Sequence, residues 1–571
     1  MSDDEGKVWI VYNGEIYNFP VLRQELERDG VVFRSHTDTE VIIYLYKRRG
    51  LDCLDHLRGM FAFALWDNEK KRLFLARDRA GQKPLLYSLS NERLTFASEM
   101  RALLCDPSIE REIDLEALDL YLSYQFVPAP YTMFRAVKKL PPAHYLVWED
   151  GQCSLHKYWE LNYCSKVMWS EEEAKEALRE KIKEAVSLRL ISDVPLGALL
   201  SGGVDSGIVV ALMSELMDQP VKTFSIGFEE EQFNELPYAR RVAEIYGTDH
   251  RECVFRPDLL GVLPVLVAHY GEPFADKSAV PSYYVAQMAR QEVTVALNGD
   301  GGDELFVGYD RFKLNRVATY LARLPKSARM LLRQVLNNAS QVVMNESFWG
   351  KVRRKLEYDF LFPESRVLSY QSFFTDAFKR RLYLNGMDEH IRRRIEERVK
   401  RLLELAHRNA KGLIERMLWI HVHTYLPDDL LVKMDIAGMA NSLETRSPFL
   451  DHELIEFVAK LPTGYKIHDG TTKYLLKKLG EEYLPRDLLY RPKRGFAFPV
   501  GNWLRSNLNG TVEELLVSCP MGLPEFFNMD FVGCLWNEHK EYRYDHSYRL
   551  WSLLNFELWY RMFVEQYDVV V

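Results

Sequence analysis

Short apolar runs recur through the first 160 residues: KVWIVYN (7–13), GMFAFALWD (59–67), RLFLARD (72–78), RLTFAS (93–98) and HYLVWED (144–150). Turn residues or charged pairs divide them, as in a sheet whose strands are joined by loops. One helix is predicted among them, over TDTEVIIYLYKRRG (37–50), closing on Gly50. Near residue 165 the texture changes. Ser170 and Glu173 form a capping-box pattern ahead of EEEAKEALREKIKEAVSLRLI, which predicts a long amphipathic helix. Strand-like and helical stretches then alternate: PLGALL (195–200), a helix at 205–217, VKTFSIGF (221–228), helices near 237–246 and 281–291, and VTVALNG (293–299). Such alternation predicts a parallel sheet covered by helices on both faces.

From about 310 to 430 the chain turns helical, with basic stretches such as KVRRKLEYDF (351–360) and HIRRRIEERVKRLLEL (390–405) that read as solvated helix faces. The fold class is therefore α/β, β-rich first and parallel-sheet second, with a helical C-terminal part. A length of 571 residues calls for more than one hydrophobic core. The boundary, inferred from texture alone, separates residues 1–160 from 165–571.

Composition narrows the class of protein. Hydrophobic residues make up 47% of the chain, with no run long enough to span a membrane, so no membrane role is expected. A net charge of −8 gives no global attraction to nucleic acid. The seven cysteines (53, 105, 153, 164, 253, 519 and 534) are scattered, and no two stand at C-x-x-C spacing. That dispersal suits reduced thiols and a cytoplasmic location.

The chemistry concentrates at two strand ends. In SGGVDS (201–206) an apolar strand runs into Ser201, Gly202 and Gly203, and a helix begins near Asp205, with Ser206 beside it. Glycines there let several N–H groups point into one concavity at a helix N-terminus, an anion-binding arrangement. Asp205 would repel phosphate unless a divalent cation lies between them, and magnesium takes one or two carboxylates together with phosphate oxygens. No lysine follows the loop, so γ-phosphoryl transfer is not the natural reading. A pyrophosphate group suits it, implying attack at the α-phosphorus. NGDGGDELFVGYDRF (298–312) repeats the logic beyond a second strand, where ligands of open parallel sheets collect. Asp303 is the candidate second metal carboxylate, and Asp300 a candidate acid or base. A ligand-free glycine turn and an exposed acidic turn are the plain alternatives.

Beyond these two segments the chain resembles the asparagine synthetase family along nearly its whole length. The likeness runs through VYNGEIYNF (11–19), LARDRAGQKPLLY (75–87), TFSIGF (223–228), YLPDDLLVKMDIAGMANSLETRSPFLDHELIEF (425–457) and RPKRGFAFP (491–499). The resemblance implies an N-terminal-nucleophile-type sandwich, here a truncated amidotransferase, before an ATP-pyrophosphatase domain of the adenine-nucleotide hydrolase-like type. It also implies a reaction in which ATP and Mg2+ activate L-aspartate as an acyl-adenylate and ammonia displaces AMP. In glutamine-dependent members the ammonia reaches that centre through a tunnel. By the same resemblance Ser201, Gly202, Gly203, Asp205 and Ser206 hold pyrophosphate and metal, and Leu199, Ile226, Asn298 and Gly299 surround the adenosine. Lys473, in TTKYLLKK, stabilises charge during adenylation, as a cation facing a crowded phosphorus would. Asn13 and Gly14 match an oxyanion hole, and Glu15 and Asp38 match positions that bind the glutamine substrate. Paired subunits are common among relatives, so a homodimer is the assembly the resemblance allows.

Three departures matter. Asp300 stands where glutamate is frequent, one methylene shorter. Ile436 and Gly438 replace an arginine and a serine near the expected acyl-acceptor region, which puts the aspartate specificity in question. Residue 2 is Ser2 where glutamine-dependent members have a nucleophilic cysteine, and the arginine-bearing strand that helps hold glutamine is lacking. A serine in an acidic tail is a poor nucleophile. The chain as it stands is therefore expected to use ammonia, and Met1 to be an internal methionine of a longer reading frame that would be glutamine-dependent. Two other readings remain: a different adenylating amide- or lactam-forming ligase on this scaffold, and a non-catalytic binding subunit.

Overall fold

Alternation along KVWIVYN becomes strand β1 (Val8–Ile16), with Val8 and Ile10 in the core and Trp9 and Val11 exposed on the other face. It is followed by β2 (Gly59–Asp67), β3 (Arg72–Arg77), β4 (Leu86–Ser90), β5 (Arg93–Ala97), β6 (Val137–Lys139), β7 (His144–Glu149) and β8 (Gln152–Lys157). These form two antiparallel sheets, ordered β1-β2-β3-β7-β8 and β5-β4-β6. Ala62, Ala64, Leu75 and Leu146 of the first sheet pack in one cluster with Leu85, Leu140 and Tyr87 on the side of the second. The opposite face of the first sheet, through Ile10, Phe63 and Phe74, is covered by Leu22, Leu26, Val41 and Leu45. The protein is described here from a computed structural model, over residues 1–90, 93–231, 234–255, 258–312, 328, 373–385, 388–491 and 499–567.

The helix expected at 37–50 spans Asp38–Arg49 with Gly50 at its C-cap. The expectation of a single helix in this half needs correcting, because Phe19–Arg28 and Leu115–Tyr124 are helical too. The first buries only Leu22 and Leu26, too sparse a stripe to read from pattern. The second, LEALDLYLSY, places leucines at alternate positions as a strand would. Yet the Asp114 side chain caps it, accepting from the N–H groups of Glu116 and Ala117.

The capping box at Ser170 and Glu173 forms as expected and opens helix Glu171–Arg189. Beyond it lie β9 (Leu196–Leu199), β10 (Lys222–Phe228), β11 (Asp249–Phe255), β12 (Val295–Leu297) and β13 (Glu444–Arg446). They form one parallel sheet ordered β11-β10-β9-β12-β13, with helices Val204–Leu216, Leu236–Tyr246 and Ala279–Arg290 between strands. The basic stretch 390–405 lies in helix Glu389–Asn409, where Ala406 is the buried residue, but its charges are not all solvated: Arg394 pairs with the buried Glu116 and Arg398 donates to the Ala129 carbonyl at 2.8 Å. The stretch 351–360, and 492–498 of the segment RPKRGFAFP, lie outside the described residues. No helix among the described residues is long and apolar enough to cross a membrane.

Buried ion pairs join the two halves. The Asp451 carboxylate, 1% exposed, accepts from Arg58 at 2.9 Å and from Arg189 at 3.1 Å. Lys83 donates to Asp435 at 2.7 Å. Removing one partner of such a pair strands a buried charge, at about 3–5 kcal/mol, so these contacts hold the halves in one arrangement.

Candidate active site

At the C-terminal ends of β9, β10 and β12 the sheet opens into a cavity of about 940 Å³. Its wall includes Leu199, Ser201, Gly203, Asp205, Ser206, Ile226, Asn298, Gly299, Asp300, Asp303 and Lys473, so residues from four separate segments meet in one place. Gly202 is not part of the wall. It shapes the loop at φ +68°, where a Cβ would lie 2.5 Å from the backbone of Tyr238 and Ala239. Gly299 also makes room, since a Cβ there would come within 2.8 Å of Asp205, and its absence lets the two strand ends approach.

Within the loop the serine hydroxyls engage each other. Ser201 Oγ and Ser206 Oγ are 3.0 Å apart, Ser201 N–H donates to Ser206 Oγ, and Gly203 N–H donates to Ser201 Oγ. These are weak local bonds that an anion could replace with stronger charge-assisted ones.

Lys473 is a buried group and not a surface lysine, 5% exposed, with left-handed backbone geometry at φ +54° just before helix Tyr474–Gly480. Its N–H donates to the Phe306 carbonyl. A non-glycine residue pays roughly 1–2 kcal/mol for that conformation, so the surroundings must enforce it. The ammonium donates to Asp205 and lies 2.5 Å from Asp303. The remaining oxygen of Asp205, Oδ1, is buried and accepts no hydrogen bond among the described residues. That buried Asp205 oxygen, close to Asp303 and beside a glycine-rich loop at a helix N-terminus, fits a magnesium ion, which takes few protein ligands.

Asp300 is steadied from two sides. Asn298 Nδ2 donates to its carboxylate at 2.8 Å, and Ser447 Oγ donates to its carbonyl at 2.5 Å.

The cavity also holds a polar cluster that sequence reasoning did not single out. Lys433 Nζ lies 3.5 Å from Asp276 and donates to Ser278 Oγ at 3.1 Å. Burial works to raise the Asp276 carboxyl, but Lys433 and the Ser278 donors hold it below its ordinary value. Burial and the nearby Asp276 push the Asp429 carboxyl well up. The signal lay in PDDLLVK, where an acid and a lysine four residues apart follow a proline. Part of that segment, Leu426–Leu430, forms a π-helical turn, a feature frequent at functional sites. Ile436 and Gly438, in contrast, do not line the cavity. Leu430, Lys433 and Met434 present the helix face that does, and Gly438 backs onto the Leu443 carbonyl.

The glutamine-site candidates lie elsewhere, on β1 and at the start of helix Asp38–Arg49. Opposite Asn13 and Gly14 on β2 stand Ala62 and Phe61. Asp38 accepts from Tyr12 Oη at 2.7 Å and from Ile16 N–H at 2.8 Å. Glu15 pairs with Arg446 at 2.9 Å. Ser2 bridges to Trp9 on β1.

Comparison with known proteins gives this geometry a family. A model described as asparagine synthase matches residues 177–561, and one described as a glutamine amidotransferase domain matches residues 1–159. The chain is 34% identical to glutamine-hydrolysing asparagine synthetase 1 of Bacillus subtilis, covering 99% of this chain and 87% of that protein. It is 30% identical to asparagine synthetase 3 of the same organism, covering 85% of this chain and 74% of that one. The amidase chry2 of Gibberella zeae is 27% identical, over 90% of this chain and 80% of its own. Matches and site together define an ATP-dependent amide ligase. The chain belongs to the asparagine synthetase family.

Proposed function

We propose that the protein amidates L-aspartate through a β-aspartyl-adenylate, releasing AMP and pyrophosphate, with ammonia as the nitrogen donor of the chain as it stands. The observation that carries this reading is the Lys473 ammonium shared by Asp205 and Asp303 at the rim of the Ser201–Ser206 loop. In this reading the loop N–H groups and hydroxyls take the pyrophosphate, and Leu199, Ile226, Asn298 and Gly299 surround the adenosine. The aspartate β-carboxylate attacks the α-phosphorus and pyrophosphate leaves. Lys473 then faces the negative charge that grows at that phosphorus, in a buried setting where such an interaction is strong. Asp205 and Asp303 would hold Mg2+, which supplies charge neutralisation for the leaving pyrophosphate. In this reading Asp300, whose carboxylate Asn298 holds and whose carbonyl Ser447 holds, takes the proton as ammonia attacks the acyl carbon.

One feature bears on the delivery of ammonia to the adenylation centre. A small cavity of about 20 Å³ between the halves, lined by Met60, Gln82, Asn298, Asp300, Asp435 and Ser447, has room for one water-sized molecule beside Asp300. Asn13, Gly14, Glu15 and Asp38 are in this reading the glutamine-binding positions. A cytoplasmic location and a homodimer complete the proposal.

The test is one assay of the purified chain with Mg-ATP, aspartate and either ammonium or glutamine, reading asparagine and AMP by mass spectrometry. Asparagine from ammonium alone is expected. Asparagine from both donors would overturn the donor assignment. AMP formed only when other carboxylates are offered would overturn the substrate.

A further inference from the structure

Arg446 is 2% exposed, and all three of its guanidinium nitrogens are engaged. Nε donates to Glu444 at 2.6 Å, Nη1 to the carbonyls of Arg189 and Ile191, and Nη2 lies 2.9 Å from Glu15 of the other half. Its backbone continues toward the cavity. The Arg446 carbonyl accepts from Asn298 N–H at 3.0 Å, Asn298 in turn holds the Asp300 carboxylate, and the next residue, Ser447, holds the Asp300 carbonyl. An unbroken chain of bonds therefore runs from the Glu15 carboxylate to Asp300, across the junction of the two halves.

We propose that Arg446 is a positioning residue which, by pairing with Glu15, fixes β13 against Asn298 and Asp300 and so couples the glutamine half-site to the adenylation centre. The inference rests on the functional reading above. Both ends of the chain are charged or strongly polar and its middle passes through the buried Arg446 of β13, so a change at Glu15 is carried toward Asp300 by directional bonds. An ammonium group arriving at Glu15, such as the α-amine of an amino acid, competes with Arg446 for the carboxylate. Protonation of Glu15 has the same effect. Burial, with Glu444 and Asp38 adding to it, pushes the Glu15 carboxyl up to about 7 against the opposing pull of Arg446 and Lys83; Tyr12 and Tyr17 flank it on β1 and just beyond. The charged pair is therefore complete above neutral pH and lost as the pH falls through about 7.

The experiment compares the full chain with Glu15→Gln, Arg446→Lys and the double variant, in aspartate-dependent pyrophosphate release at saturating ammonium and in backbone hydrogen exchange. Glu15→Gln is expected to lower kcat about fivefold at pH 8, a typical coupling between sites, while KM for ATP stays within twofold. Between pH 8 and 6 the wild type loses activity that Glu15→Gln does not lose further, the comparison cancelling the shared fall in free ammonia. The double variant is no slower than the slower single one. Exchange over 295–300 quickens at least fivefold in Glu15→Gln, while 222–228 keeps its protection. A Glu15→Gln protein with wild-type kcat, pH profile and exchange would overturn the coupling, as would single losses that multiply in the double variant. A wild type without turnover overturns the functional reading instead, and the exchange comparison then decides the coupling alone.

Discussion

The Lys473 ammonium lies 2.5 Å from Asp303 and also donates to Asp205, so one buried cation ties together the ends of two strands and the start of a third segment. Its place explains why a lysine adopts left-handed geometry there: the side chain is anchored by two carboxylates. Replacing it by methionine should lower kcat for pyrophosphate release about 10²–10³-fold, the scale of losing one preorganised stabiliser of transition-state charge. Steady-state release with a circular-dichroism check on folding measures this, and a loss under tenfold in a folded variant would remove Lys473 from the charge-stabilising role.

Asp205→Asn keeps the size of the side chain but removes a carboxylate proposed to hold magnesium. Magnesium-dependent ATP binding by calorimetry should weaken by more than tenfold, while any metal-free binding changes little. Equal weakening with and without magnesium would assign Asp205 to the loop's own structure and not to a metal.

Gly202→Ala meets two obstacles at once, a positive φ and backbone atoms 2.5 Å from the new methyl. The loop must then move away from helix Leu236–Tyr246, at about 2 kcal/mol of stability. A lowered Tm together with loss of ATP binding is expected. An alanine variant as stable as the wild type would show that the loop tolerates another shape.

Asp451→Asn leaves the buried Arg189 guanidinium without its carboxylate and removes one of the three carboxylates that Arg58 shares with Glu184 and Glu453, and should cost about 3–5 kcal/mol in chemical denaturation. Burial alone would raise the Asp451 carboxyl, but the two arginines hold it at about 2, below its ordinary 3.8. Such a depressed group lends stability that is complete above about pH 4 and is lost as the pH falls through about 2. That contribution is about 2 kcal/mol. Acid-unfolding curves should show it in the wild type and not in the variant.

Much of this protein was decided by short-range pattern. The alternation in KVWIVYN and RLFLARD, the capping box at Ser170 and Glu173, and the glycine-rich turn at 201–206 all depend on residues a few positions apart. Their physics is contained in the local chain, and so are the resulting strands, helices and glycine turn. The gathering of Ser201, Asp205, Asp300 and Asp303 beyond one parallel sheet followed from the strand–helix alternation around them.

What local pattern could not decide were features made by pairing across the chain. The tripeptide ETR of β13 has no strand signature and becomes a strand only because β12 offers it partners. Leu118, Leu120 and Leu122 alternate as in a strand, yet the segment is a helix whose residues Glu116–Leu122 are buried by its surroundings. Lys473 reads as a surface lysine until Asp205 and Asp303 converge on it, and Glu15 meets Arg446 only when opposite ends of the chain dock. Burial and long-range charge pairing set these outcomes, and both depend on which distant segments the fold brings into contact.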